Sequence, residues 1–211
     1  MCYDIESSIS AWIISNSIAI YLYYRNRRYD RWSCFFIITF STIQLLEAGL
    51  WWSQKQGLPS NTNEILTKLV LLVLLSQPFV QSYFGYRYTK VNLLKYMCVV
   101  YFAIILWGIY RVVTASKGSF YTSPNSQGHL VWHDSSKKNF LGGNLPQYLI
   151  PSLYLGGLFI PLIFQKDNRG LPLIAVGVGS IAFSTIMGDS ESFSSLWCFY
   201  AVIYSFVALV S

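Results

Sequence analysis

The sequence predicts an all-α, polytopic integral membrane protein with seven transmembrane helices, and three observations lead there. Of 211 residues, 54% are hydrophobic and only 11% charged, whereas a soluble domain carries roughly a quarter charged residues. The apolar residues fall into seven runs near the roughly 20 residues that a spanning helix needs. The gaps between the runs are short, basic or polar, and too small to fold alone. A single membrane domain therefore covers residues 1–211.

The first run, Ser8 to Tyr24, follows Asp4 and Glu6 and precedes Arg25, Arg27, Arg28 and Arg31. A cleavable signal has the opposite charge order, so this reads as an uncleaved first helix. Trp32 to Trp52 forms the second span. Asn63 to Tyr86 forms the third, in which Pro78 predicts a kink because proline frees a carbonyl. Asn92 to Arg111 is the fourth. The long connection of about 112–145 carries Gly118, Pro124, Gly128, Gly142 and Gly143. Within it, Ser119 to Thr122 and His129 to His133 flank a Ser-Pro-Asn-Ser-Gln-Gly turn, the pattern of a β-hairpin with a longer loop. Pro146 to Phe164, Leu171 to Met187 and Ser194 to Ser211 complete the seven.

Orientation follows from charge. Nine of the fifteen Lys and Arg residues (Arg25, Arg27, Arg28, Arg31, Arg87, Lys90, Lys95, Lys166 and Arg169) fall on the side of the first, third and fifth connections. Positive charge in short loops marks the cytoplasmic side, which puts the amino terminus outside, the carboxyl terminus inside and the long loop outside. Aromatic residues prefer the two interfaces. Trp12, Trp51, Trp52, Trp107 and Trp197 fall at the predicted outer one, and Tyr21, Tyr23, Tyr24, Tyr83, Tyr86 and Tyr88 at the inner one. Basic residues this scattered offer no single face to nucleic acid.

Chemistry-bearing residues are few. A carboxylate within a span costs roughly 2.5 to 3.5 kcal/mol on insertion scales, so it marks a functional position by default. Glu47 is that carboxylate. With Ser41, Gln44 and Trp51 it forms one stripe of the second helix, at spacings of three, three and four. The stripe must face protein or water. Lys68 enters the third helix at a similar depth and can pair with Glu47, although Glu64, four residues before it, is the favoured local partner. Gln77 and Gln81 bracket Pro78 and give the third helix a polar face, suited either to a water path or to interhelical hydrogen bonds. Gly156 and Gly157 on the fifth helix, with Ala175, Gly179, Ser180 and Ser184 on the sixth, are small residues that favour close helix packing.

No metal or cofactor is expected. His129 and His133, the two histidines, would lie about 13 Å apart along one strand, too far to share an ion. The predicted topology places Cys2 and Cys198 outside, where they can form a disulfide, and leaves Cys34 and Cys98 in the inner halves of their helices. The last span lacks the lysine that a retinal protein requires, two loop histidines do not make a zinc hydrolase, and no nucleophile elbow or phosphate loop is present. An enzyme is not expected.

Three short motifs resemble a family of small, uncharacterised multi-pass membrane proteins found in bacteria, algae and large DNA viruses. They are Met1-Cys2 with Glu6 and Ser8, Gln44-Leu45-Leu46-Glu47-Ala48 with Trp51, and Ser195-Leu196-Trp197-Cys198-Phe199. The chain departs from the pattern at Ile5, where a proline is expected, and at Ser194, where a glycine is. The family has no established activity, so the resemblance implies positions and no reaction. A composition rich in Asn, Tyr, Ile and Ser also suits an AT-rich viral genome. Together with the threading, the motifs place Cys2, Glu6, Gln44, Glu47, Trp51, Trp197 and Cys198 in the outer half of the membrane.

Two functions are compatible with these residues. One is a transporter-like or channel-like protein that admits a small ion or polar ligand to a site around Glu47. The alternative is a non-catalytic envelope or scaffold protein, embedded in the lipid bilayer, whose outer loop binds a partner.

Overall fold

The computed structural model describes residues 4–55, 60–126, 128–134, 149–187 and 202–211. Among them are α1 (Ile5–Arg25), α2 (Asp30–Gln54), α3 (Asn61–Thr89), α4 (Asn92–Thr114), β1 (Phe120–Pro124), β2 (Leu130–Asp134), α5 (Leu149–Ile163), a 3-10 turn at Lys166–Asn168, α6 (Gly170–Met187) and α7 (Val202–Val210). Three helices, α2, α3 and α4, are long and apolar enough to cross a membrane. Helix α1 has 21 residues, but Ser7, Ser8, Ser10, Ser15, Asn16 and Ser17 dilute its apolar content. Shorter apolar stretches run over Pro151–Ile163 and Gly170–Ile186. The first three residues of the expected fifth span and the first eight of the seventh lie outside the described residues.

Local chemistry sets the helix ends. The Asp4 carboxylate accepts the Ser7 N–H at 2.7 Å, a side-chain cap for α1. That bond, before any other cause, holds the Asp4 carboxyl below its ordinary pKa. The helix stops at Asn26, whose left-handed backbone (φ 50°) returns its N–H to Leu22, a geometry asparagine tolerates. Ser60 caps α3 through the Asn63 N–H, and Lys90 (φ 61°) ends it. Pro78 does not interrupt α3, which runs helical from Asn61 to Thr89.

Packing makes a ring. Helix α1 lies along α2, α2 along α3 and α3 along α5, while α5 meets α6, α6 meets α7, and α7 returns to α1 and α2. Helix α4 stands outside, against α3. Of the three long helices α2 is the most buried and α4 the least. On α4 the buried residues Leu94, Tyr101 and Gly108 recur every seven positions, whereas Tyr96, Val99, Phe102, Leu106, Tyr110 and Val113 are exposed. An apolar helix with its apolar side chains turned outward is suited to lipid and not to water. Trp32, Phe36, Ile37, Phe40, Ile43 and Leu50 of α2 form the centre of the core, with Leu22, Val70, Leu158, Leu162, Leu173 and Tyr204 arriving from neighbouring helices.

The end of the ring nearest the Arg25–Asp30 turn is tied by one arginine. Arg25 holds Asp30 in two parallel hydrogen bonds, Nε to Oδ2 at 2.7 Å and Nη2 to Oδ1 at 2.8 Å. Its Nη1 donates to the Leu209 carbonyl and its Nη2 to that of Ala208. These are last-turn carbonyls of α7, which have no partner within their own helix, and a cation there also complements the helix dipole. Asp30 further accepts the Arg27 N–H at 2.8 Å. Nearby, the Tyr29 hydroxyl accepts the Lys166 N–H at 2.9 Å, and Trp32 donates through Nε1 to Gln81 of α3.

Close helix crossings use glycines that differ in part from those expected. An added Cβ at Gly157 would lie 2.5 Å from Pro78 and from the Tyr101 ring, and one at Gly177 would lie 2.4 Å from Phe159. A Cβ at Gly179 meets nothing within 4 Å, and one at Gly156 meets only Ile160 of its own helix. Gly157→Ala is therefore expected to lower stability by about 1–3 kcal/mol through overpacking, whereas Gly179→Ala should be neutral or raise it by up to about 1 kcal/mol. Thermal unfolding of the two purified variants measures both.

Candidate functional site

The stripe on α2 turns inward. Ser41, Gln44 and Glu47 are all buried, with Gln44 and Glu47 at 0% exposure, and Trp51 is partly buried against the core. Their spacing of three keeps them on one side of α2, where Ser41 meets Asn16 of α1 and Ser41 and Gln44 border residues of α7. Asn16 of α1 crosses to this face, its Nδ2 donating to Ser41 Oγ at 2.9 Å and to the Trp12 carbonyl at 2.9 Å. A cavity of about 10 Å³ lies beside it, lined by Ser15, Ile37, Phe40, Ser41, Gln44, Val202, Tyr204 and Ser205. Four of those eight residues carry a hydroxyl and one an amide, although apolar atoms make up most of the wall. Gln44 and Glu47 each have an interaction of their own, as a buried amide and carboxylate require.

A second, larger cavity of about 20 Å³ sits at the middle of the ring, lined by Phe36, Phe40, Gln81, Leu158, Phe159, Leu162, Val176, Gly177, Ser180 and Tyr204. Its walls are mostly apolar. Each of these spaces is about the size of one water molecule, and neither is wide enough for a solute.

The other proposed site residues divide. Lys68 pairs with Glu64, Nζ to Oε1 at 2.6 Å, the local partner four residues before it. The second Glu64 oxygen accepts the Gly118 N–H at 2.8 Å, so this carboxylate also holds the turn after α4. Gln77 accepts the Tyr154 hydroxyl of α5. Gln81 accepts the Trp32 indole and donates to the Leu158 carbonyl at 3.4 Å. Both amides thus make interhelical hydrogen bonds. Glu6 is exposed in the first turn of α1. Cys2, Trp197 and Cys198, with the disulfide expected between the two cysteines, lie outside the described residues. Cys34 and Cys98 are free thiols.

The expected hairpin exists, and it does more than cross a loop. Strands β1 and β2 pair antiparallel, with Tyr121 opposite His133 and Thr122 opposite Trp132. Thr122 plugs the end of the α2–α3 pair. Its N–H donates to Asn63 Oδ1 at 2.8 Å, its carbonyl accepts Asn63 Nδ2 at 3.0 Å and Gln54 Nε2 at 2.9 Å, and its hydroxyl meets Thr67 Oγ1 at 2.7 Å. Asn63 Nδ2 also donates to Ser53 Oγ at 3.0 Å. Thr122, Asn63, Thr67 and Ser53 are all at 0% exposure. The histidines are occupied separately: His133 stacks on Tyr121 at 4.5 Å and meets Ser123 Oγ at 2.9 Å, while the His129 N–H donates to Asn125 Oδ1 at 2.8 Å. Among the described residues no group of three His, Cys, Asp or Glu side chains is placed to hold a metal ion.

No protein-family model, no curated protein and no solved structure matches this chain.

The polar joints that escaped the sequence reading include Arg25–Asp30, Trp32–Gln81 and Asn63–Thr122. For the first a signal existed, since Asp30 is an isolated acid within the basic run Arg25 to Arg31. For Asn63 and Thr122 there was none, because they stand 59 residues apart. Asn63→Ala should leave the Thr122 N–H and carbonyl with fewer partners and cost about 1–3 kcal/mol for each buried group orphaned. Amide hydrogen exchange at Thr122 and proteolysis within β1 and β2 are expected to accelerate. Asn61→Ala, an exposed neighbour, should change neither.

Proposed function

We propose that this chain is a transporter-like or channel-like membrane protein, with its ion or polar-ligand site on the buried α2 stripe of Ser41, Gln44 and Glu47. The observation that carries this reading is a carboxylate at 0% exposure one turn along α2 from Gln44, which with Ser41 borders a water-sized cavity. An acid of this kind within an apolar helix is costly and is retained where it serves ions, protons or polar ligands. The compact interior corresponds to a closed state, in which access requires α1 or α7 to separate from α2. The resemblance of three short motifs to a multi-pass family supports the same positions, including Gln44, Glu47 and Trp51, and adds Glu6, Cys2, Trp197 and Cys198 from the sequence.

Two observations favour a second reading, a non-catalytic envelope or scaffold protein. Among the described residues, the two cavities beside Gln81 and Gln44 are only water-sized, and the hairpin presents a folded surface at one end of the bundle. Glu47→Gln in reconstituted vesicles separates the two. Under the first reading, flux or binding of the transported ion falls by about tenfold or more, equivalent to on the order of 1.4 kcal/mol, while the melting temperature holds. Under the second, melting falls and no transport property changes.

The same reading places the Arg25–Asp30 turn in the cytoplasm and the hairpin outside, on the basis of loop charge and the two aromatic belts. In a chain with its native cysteines replaced by serine, Asn26→Cys should resist an impermeant thiol reagent applied from outside, and Ser126→Cys should react. Labelling of Asn26→Cys from outside overturns the orientation.

A further inference from the structure

The whole of the net positive charge sits at one end of the bundle. The end formed by the α1–α2, α3–α4 and α5–α6 connections holds nine Lys and Arg residues and two carboxylates, Asp30 and Asp167, a formal +7. The remaining six cations and seven carboxylates of the chain sum to −1. Both carboxylates at the basic end are engaged, Asp30 by Arg25 at 2.7 Å and Asp167 by Arg28 at 3.8 Å. Arg27, Arg31, Arg87, Lys90, Lys95 and Lys166 remain exposed around them.

Three of the cations at this end are held in place. Arg31 stands 5.1 Å over the Tyr23 ring, Arg28 5.4 Å over Tyr29, and Lys90 5.6 Å over Tyr86, each a cation–π contact that orders a long side chain. The connections are tight, with two residues between α3 and α4 and four between α1 and α2. The charges therefore cannot swing far from the helix ends. Exposed Tyr21, Tyr24, Tyr83, Leu93 and Tyr96 border them along the helices, and amphipathic rings of that kind favour the headgroup level of a bilayer. A soluble polyanion would need no such apolar border.

We infer that this basic collar binds anionic phospholipid headgroups in the adjoining leaflet, with Arg27, Arg31, Arg87 and Lys90 contacting lipid phosphate and the tyrosines contacting the upper acyl chains. Clustered cations immediately beside membrane-crossing helices attract anionic lipid, and the attraction is lost beyond a Debye length. The inference rests on the membrane reading of α2, α3 and α4 and not on Glu47.

Thermal unfolding of the full chain in neutral detergent tests it, with phosphatidylglycerol or phosphatidylcholine added at equal concentration. A ligand that binds the folded state raises the midpoint. Phosphatidylglycerol is expected to raise it by several degrees more than phosphatidylcholine, and the difference should vanish in about 1 M salt, where the Debye length is about 3 Å. The combined variant Arg27→Gln, Arg31→Gln, Arg87→Gln, Lys90→Gln should lose the difference, and Lys117→Gln, near the hairpin, should keep it. Equal shifts from the two lipids overturn the inference, as does an undiminished difference in the combined variant or the same shift from inorganic phosphate alone. If the combined variant fails to fold, the lipid and salt comparisons on the native chain decide. Flotation with reconstituted vesicles separates the underlying readings: a chain that floats with neither lipid overturns the membrane reading as well, and one that floats with both but shows no stability difference overturns only the collar.

Discussion

Arg25 joins three helices that would otherwise end in unsatisfied charge or backbone. Its guanidinium closes on Asp30 with two parallel bonds and reaches the last carbonyls of α7 with the remaining donors. Lysine has no planar fork to make both contacts at once. Asp30 is itself buried, and removing one partner of a buried pair costs about 3–5 kcal/mol because the other charge is left uncompensated. The α1–α2 turn and the carboxyl end of the chain are thus fixed to one another, 184 residues apart in sequence. Once α7 is held there, its Tyr204 can pack on Phe36 at 5.1 Å between ring centres and close the ring of helices over the core.

Away from that joint, the interior is stitched by polar side chains that bond one another across helices. Asn16 to Ser41 links α1 and α2, Trp32 to Gln81 links α2 and α3, Gln77 to Tyr154 links α3 and α5, and Tyr101 to the Leu153 carbonyl links α4 and α5. Apolar surface alone gives helices little reason to associate in lipid, so packing and bonds of this kind set which faces meet. The two ends of the bundle are built differently. One is basic, aromatic and held by Arg25. The other is nearly neutral and is sealed by a hairpin whose Thr122 backbone is satisfied by Asn63 and Gln54.

What could be read from the sequence follows from periodicity and short-range chemistry. The inward turn of Ser41, Gln44 and Glu47 was legible because their spacing fixes one helix face and a buried carboxylate must face protein or water. The Glu64–Lys68 pair was legible because residues four apart on a helix are neighbours whatever the tertiary fold. The hairpin was legible from turn residues between two short β-prone runs. Partners across helices were not, since a face is one-dimensional information and a contact needs the relative rotation of two helices. The glycines illustrate this: Gly157 and Gly177 occupy crossings and Gly179 does not, although Gly177 and Gly179 share the same composition signal. Pro78 removes a hydrogen bond from α3, which runs helical through it with Gly157 of α5 packed against the proline ring.

The polar ties along α1 also define what any opening of the interior would cost. At one end stands the Arg25–Asp30 pair, a joint of several kcal/mol with both partners shielded from water. At mid-helix stands the Asn16–Ser41 hydrogen bond, whose net contribution is about 0.5–1.5 kcal/mol. A cavity of about 10 Å³ admits roughly one water, so a hydrated ion or a solute reaches Ser41 and Gln44 only if the helices around them separate. Separation that keeps Arg25 in place breaks the weaker bond and exposes hydroxyls and an amide, groups that water can satisfy at once. Separation at the basic end would strip a buried ion pair and the carbonyls of α7 together. The stronger polar tie therefore lies at the basic end and the weaker one at Ser41.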